Sequence, residues 1–110
     1  MARFVKGDIV VVPFPFSDLS QAKRRPALIL TSLSGNDVIL AQITSQLNKD
    51  EYAIKISDSD FSTGSLKKIS NVRPNRIFTA DEHIVLYKIG TLKKEKIDAI
   101  IQKTVEILSQ

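Results

Sequence analysis

The chain predicts a mainly β fold, a small antiparallel barrel with one C-terminal α-helix packed against it. Three observations carry this. Short apolar runs bounded by turn residues recur about six times. No strand–helix–strand alternation marks a parallel sheet. Only the last segment repeats apolar residues at helical spacing, at Ile97, Ile100, Ile101, Val105 and Leu108. A length of 110 residues fits a single domain spanning 1–110.

In order, residues 8–12 (Asp8-Ile-Val-Val-Val12) read as a strand that is apolar on both faces, as do residues 26–31 (Pro26-Ala-Leu-Ile-Leu-Thr31). Both faces therefore need cover, and the second has to meet either the one available helix or another copy of the chain, which is a first reason to expect a homodimer. Residues 13–25 form a connection longer than a hairpin requires, and loops of that length tend to be functional or disordered. A turn at Ser34-Gly-Asn36 leads to a strand over 37–44, in which Ile39, Ala41 and Ile43 share one face. On its other face Val38 and Leu40 give way to Gln42 and Thr44.

Residues 52–56 alternate as a half-buried strand, and residues 58–64 read as a capped turn or short helical turn. Residues 69–72 and 76–79 form one strand bulged around Pro74, and 83–89 form another. The helix then follows an N-cap at Thr91, with Lys93, Lys94, Lys96 and Lys103 as its solvated face.

Composition narrows the function classes. Hydrophobic residues at 43% and charged residues at 25% are ordinary for a globular domain and argue against disorder or membrane residence. Cysteine is absent, so disulfides and thiol catalysis are excluded, and the cytoplasm is the default compartment. The one histidine, His83, sits in Asp-Glu-His beside a strand and reads as a solvated turn residue; no metal site and no cofactor are expected. The net charge of +4 is unevenly spread. Residues 19–36 hold Lys23, Arg24 and Arg25 with no acid, and residues 62–76 hold Lys67, Lys68, Arg73 and Arg76 with none. Two such segments meeting on one face would attract a polyanion; a solvated surface is the plainer reading of either alone.

Arg25 precedes Pro26, which disfavours the helical region and holds the arginine extended at a strand entry. A guanidinium fixed there suits a phosphate, although charges and a proline also guard apolar strands against aggregation. Thr44 ends a strand in Ile43-Thr-Ser-Gln46, either as a phosphate donor with Ser45 and Gln46 or as a polar strand end entering a turn.

The series Gly7-Asp-Ile-Val-Val-Val-Pro-Phe-Pro-Phe-Ser-Asp18 and Lys23-Arg-Arg-Pro-Ala-Leu-Ile-Leu30 resembles the opening of the MazF/PemK family, toxin endoribonucleases of type II toxin–antitoxin systems. The resemblance continues through Ile43-Thr-Ser-Gln46, Leu66-Lys-Lys-Ile-Ser-Asn-Val-Arg-Pro74, Ile77-Phe-Thr79, Lys88-Ile-Gly-Thr-Leu92 and the closing helix. It implies a homodimeric SH3-like (MazF/CcdB-like) barrel that cuts single-stranded RNA at short sequences without a metal. The family's catalytic arginine and threonine fall on Arg25 and Thr44. The family chemistry is attack by the ribose 2′-hydroxyl, leaving a 2′,3′-cyclic phosphate and a 5′-hydroxyl. Stabilisation of the phosphorane, with proton donation to the leaving oxygen, is assigned to Arg25 and phosphate positioning to Thr44; the base for the 2′-hydroxyl stays open.

For RNA contact, Phe14 holds a family position where a ring can stack on a base, against the alternative of a core phenylalanine, which is preferred for Phe16. Lys23, Arg24, Ser45, Gln46, Lys67 and Lys68 complete the candidates. The implied partner is an antitoxin with a disordered acidic tail. Ser20-Gln-Ala22 departs from the glycine or acid that many members carry, so loop behaviour and cut site do not transfer. The alternative is a non-catalytic binding module on the same barrel. A CcdB-like gyrase inhibitor fits less well, because that group uses a tryptophan near its C-terminus and this chain has none.

Overall fold

A computed structural model of the chain describes residues 3–14, 23–46 and 50–110. Among them the strands run β1 (Asp8–Phe14), β2 (Lys23–Ser32), β3 (Asp37–Thr44), β4 (Ile54–Ile56), β5 (Phe61–Gly64), β6 (Ser70–Asp81) and β7 (Tyr87–Leu92), followed by helix α1 (Lys94–Leu108). They form one antiparallel sheet in the order β4-β6-β3-β2-β1-β7-β5, curled into a half-barrel. No described helix is long and apolar enough to cross a membrane.

The strands that read as apolar on both faces are buried on both. Toward α1, Ile9, Leu28, Leu30, Ala41 and Ile43 join Ile56, Phe61, Val72, Leu92 and Ile100 in one core, with Ile97 and Ile101 of the helix packed on it. The opposite face carries a second core, Val10, Val12, Ala27, Ile29, Val38 and Leu40, capped by Phe4 and by Phe78, Ile84 and Val85. Each fully buried side chain of this kind contributes about 1.5–3 kcal/mol. The cover that the sequence required on that face thus includes the chain's own N-terminal segment and the turn after β6.

Several boundaries differ from the sequence reading. Residues 58–64 divide into a 3-10 turn (Asp58–Asp60) and β5, which pairs with β7. The turn is closed by Asp60, whose carboxylate accepts the Ser57 N–H at 2.9 Å. The last strand starts at Tyr87 rather than at residue 83, because Asp81 accepts the His83 N–H at 2.8 Å and caps a 3-10 turn over Glu82–Ile84. Thr91 lies in β7, where its hydroxyl donates to buried Asp8 at 3.0 Å, so the helix N-cap moves to Lys93. At the far end of α1 the inward position is taken by Thr104, whose hydroxyl donates to the Ile100 carbonyl at 2.8 Å. Val105 and Leu108, expected in the buried stripe, are exposed.

The bulge expected at Pro74 is present. Gln42 faces Arg73 and Ala41 faces Ile77, so Pro74, Asn75 and Arg76 are extra residues on β6. Proline has no N–H to give the ladder at this point.

Candidate active site

β2 and β3 form a hairpin in which Ala27 faces Gln42 and Leu28 faces Ala41. Arg25 and Thr44 each lie two residues beyond the Ala27–Gln42 pair on their strands, and β1 places Val12 opposite Arg25 on the other side. Side chains two apart on a strand share a face. Arg25, Ala27, Gln42 and Thr44 therefore rise on the side of the second core, where its apolar row ends. Pro26 adds rigidity at that row's end and withholds a ladder N–H.

The result is a cavity of about 220 Å³ lined by Phe14, Arg25, Gln42, Thr44, Gln46 and Arg73, with Phe78 at its wall. The Phe14 and Phe78 rings meet at 5.9 Å between centroids, tilted by 45°. A second hollow, about 310 Å³, is lined by Arg24, Ser45, Lys68, Ser70 and Tyr87. Arg25 and Thr44 border both, so they stand on the divide between two concave surfaces.

Arg25 is exposed and has no ion-pair partner among the described residues. A guanidinium is charged at every physiological pH and offers a planar fork of donors. The Thr44 hydroxyl oxygen accepts the Gln46 N–H at 3.1 Å, which fixes the oxygen and leaves its hydrogen to be donated outward. Both residues can donate into the two cavities that they border.

The other candidates divide. Phe14 and Gln46 line the first cavity; Arg24, Ser45 and Lys68 line the second. Lys23 pairs with Phe14 across β1 and β2, is exposed, and borders neither. Lys67 borders neither; it lines a cleft with Ser57, Asp58, Ser59 and Lys68, at a left-handed backbone position with φ of 64°. The two basic segments do converge, through Arg24, Arg25 and Lys68. Phe16 and Ser20-Gln21-Ala22 lie outside the described residues. Among the described residues, no three His, Cys, Asp or Glu side chains group as metal ligands.

Of the polar and aromatic residues that line the first cavity, three are not among the sequence candidates. Gln42 and Phe78 read as ordinary strand positions. Arg73 carried a signal, since Arg73-Pro74 repeats the Arg25-Pro26 step. Its Nε donates to Asp50 Oδ2 at 2.8 Å, and Asp50 Oδ1 accepts the Tyr52 N–H at 3.0 Å. Burial pushes the Asp50 carboxyl up, but the hydrogen bonds from Arg73, Tyr52 and Asn75 and the charge of Arg73 outweigh it and hold the group below the ordinary carboxylate range.

Residues 5–108 match the family model of PemK-like, MazF-like toxins of type II toxin–antitoxin systems. No curated protein matches the chain in sequence. Among solved structures, an endoribonuclease in complex with its cognate antitoxin from a mycobacterial species superposes with a TM-score of 0.75 at 14% identity, covering 96% of this chain and 95% of that one. The Mycobacterium tuberculosis toxin MazF-mt6 gives 0.70 at 19% identity over 93% and 96% of the two chains. MazF from Deinococcus radiodurans gives 0.72 at 15% over 97% of each. Likeness at these identities establishes the shared fold.

Proposed function

Because the chain belongs to the PemK-like, MazF-like toxins of type II toxin–antitoxin systems, we propose that it is an endoribonuclease cutting single-stranded RNA, with Arg25 and Thr44 acting on the scissile phosphodiester. The observation that carries this reading is that those two side chains, from neighbouring strand ends, both border both cavities. A phosphate seated on that divide lets the nucleotides on either side occupy separate hollows.

The ribose 2′-hydroxyl attacks the adjacent phosphorus, its proton passing to water, and the bond to the 5′-oxygen breaks as that oxygen takes up a proton. The products are a 2′,3′-cyclic phosphate and a 5′-hydroxyl. Arg25 stabilises the charge that grows on the non-bridging oxygens and donates to the departing 5′-oxygen, while Thr44 fixes the phosphate through its outward hydrogen. A guanidinium held charged is a poor acceptor, so it does not take the 2′-hydroxyl proton. Phe14 offers a ring for base stacking in the first cavity, and Lys68 and Arg24 supply positive charge along the second.

The active form is a homodimer, working in the cytoplasm where its RNA is found. Its inhibitor is an antitoxin whose acidic tail lies across the cationic surface of Arg24, Arg25 and Lys68. A monomer in sedimentation equilibrium at working concentration, or undiminished cutting at saturating antitoxin, would remove the corresponding part.

The test is incubation of purified protein with mixed-sequence RNA in excess EDTA, with both new ends mapped. Cleavage leaving 5′-hydroxyl and cyclic-phosphate ends is expected. No cleavage with RNA binding retained would make the chain a binding module, and 5′-phosphate ends would require a different reaction.

A further inference from the structure

The proposed reaction uses Arg25 and Thr44, yet the first cavity contains a second guanidinium held in a specific way. Arg73 faces Gln42 across β6 and β3, on the same face as Arg25 and Thr44, and its side chain is 17% exposed. Its partner Asp50 is 7% exposed and bonds through both oxygens, to the Arg73 Nε and to the Tyr52 N–H. Asn75, from the same bulge, also favours the charged form of that carboxylate. Among the described residues, Arg73 meets Asp50 through Nε alone, which leaves its terminal NH₂ groups for the cavity it lines.

We infer that Asp50 is a positioning residue for substrate: it holds the Arg73 guanidinium at the first cavity, where Arg73 takes a phosphate next to the scissile one. The inference rests on the ribonuclease reading and extends it to a second phosphate contact. A long arginine side chain left free loses rotamer entropy when it binds a ligand. Anchoring Nε through a nearly buried carboxylate removes much of that loss in advance, and the planar fork fixes where the terminal donors point. The bulge at Pro74 supplies the geometry, because it brings Arg73 and Asn75 to the same carboxylate.

The test measures RNA cleavage and, separately, binding of an uncleavable 2′-O-methyl oligonucleotide, for wild type, Asp50→Ala, Arg73→Ala and the double variant, with melting temperatures recorded. Asp50→Ala and Arg73→Ala are each expected to raise KM and Kd about tenfold, with kcat within about twofold. The double variant should bind no worse than Arg73→Ala, since Asp50 acts through Arg73. Arg73→Ala should also flatten the salt dependence of binding by about 0.7 in log–log slope, one phosphate's worth on a single strand.

Unchanged Kd in Asp50→Ala, or a double variant whose losses add in full, overturns the inference while leaving the nuclease intact. If Asp50→Ala does not fold, Asp50→Asn, which keeps the shape and one acceptor oxygen, takes its place, with a smaller loss in the same direction. Wild type that fails to cut RNA overturns the ribonuclease reading instead, and the binding arm still decides the role of Asp50.

Discussion

Arg25→Ala is expected to slow RNA cleavage by about 10²–10³-fold, the usual consequence of removing one preorganised donor from a developing oxyanion. The melting temperature should barely move. Arg25 is exposed and makes no ion pair among the described residues, and surface changes of that kind stay within about 0.5 kcal/mol. The effect follows from placement. Val12 flanks the arginine on β1, Thr44 ends the neighbouring strand β3, and Pro26 holds the backbone extended, so in the proposed reaction the charge would need little reorganisation as the phosphorane forms. Arg25→Lys keeps the charge without the planar fork and should fall between wild type and alanine. Single-turnover rates with a defined RNA check this. Full activity in Arg25→Ala would remove the residue from the chemistry, and a matching fall in melting temperature would make its role structural.

Gly64→Ala should cause the largest loss of stability of any single methyl added here, about 2–5 kcal/mol from overpacking and a left-handed backbone together. Gly64 faces Gly90 where β5 meets β7, and its φ is 75°. A Cβ at Gly64 would lie 2.2 Å from the Ile89 carbonyl oxygen, and one at Gly90 would lie 2.3 Å from that of Thr63. Both obstacles are backbone, so no side-chain rotation relieves them. Against a total stability of about 5–15 kcal/mol, the change removes much of the margin. Denaturant unfolding checks it. Gly35→Ala is the control, since its φ of 78° is similar but nothing lies within 4 Å of an added Cβ. Equal losses at both positions would mean that backbone conformation alone, and not the β5–β7 contact, sets the cost.

The long strands were legible in sequence because continuous apolar runs such as Val10-Val-Val12 and Leu28-Ile-Leu30 can only be buried on two sides. β5 was not: it has four residues, three of them Ser, Thr and Gly, and it exists only through pairing with β7, far along the chain. For Arg25 and Thr44 the local sequence alone favours a strand-guarding charge and a polar strand end, and it is the family resemblance that singles them out. Arg73 joins them through a bulged register, which no local spacing reveals. Lys67 and Lys68 are neighbours in sequence and line one cleft together, but Lys68 alone of the two also borders the second cavity, a distinction that counting charges along the chain does not make.

Central to the account is that Arg25 and Thr44 act on one phosphate, and a double-mutant cycle on kcat tests this most directly. Groups that serve the same transition state are strongly non-additive. Thr44→Ala alone should cost about tenfold, and Arg25→Ala/Thr44→Ala should cut no more slowly than Arg25→Ala within about threefold. Losses that multiply in full in the double variant would mean that the two side chains work independently, and the shared-phosphate site would fail.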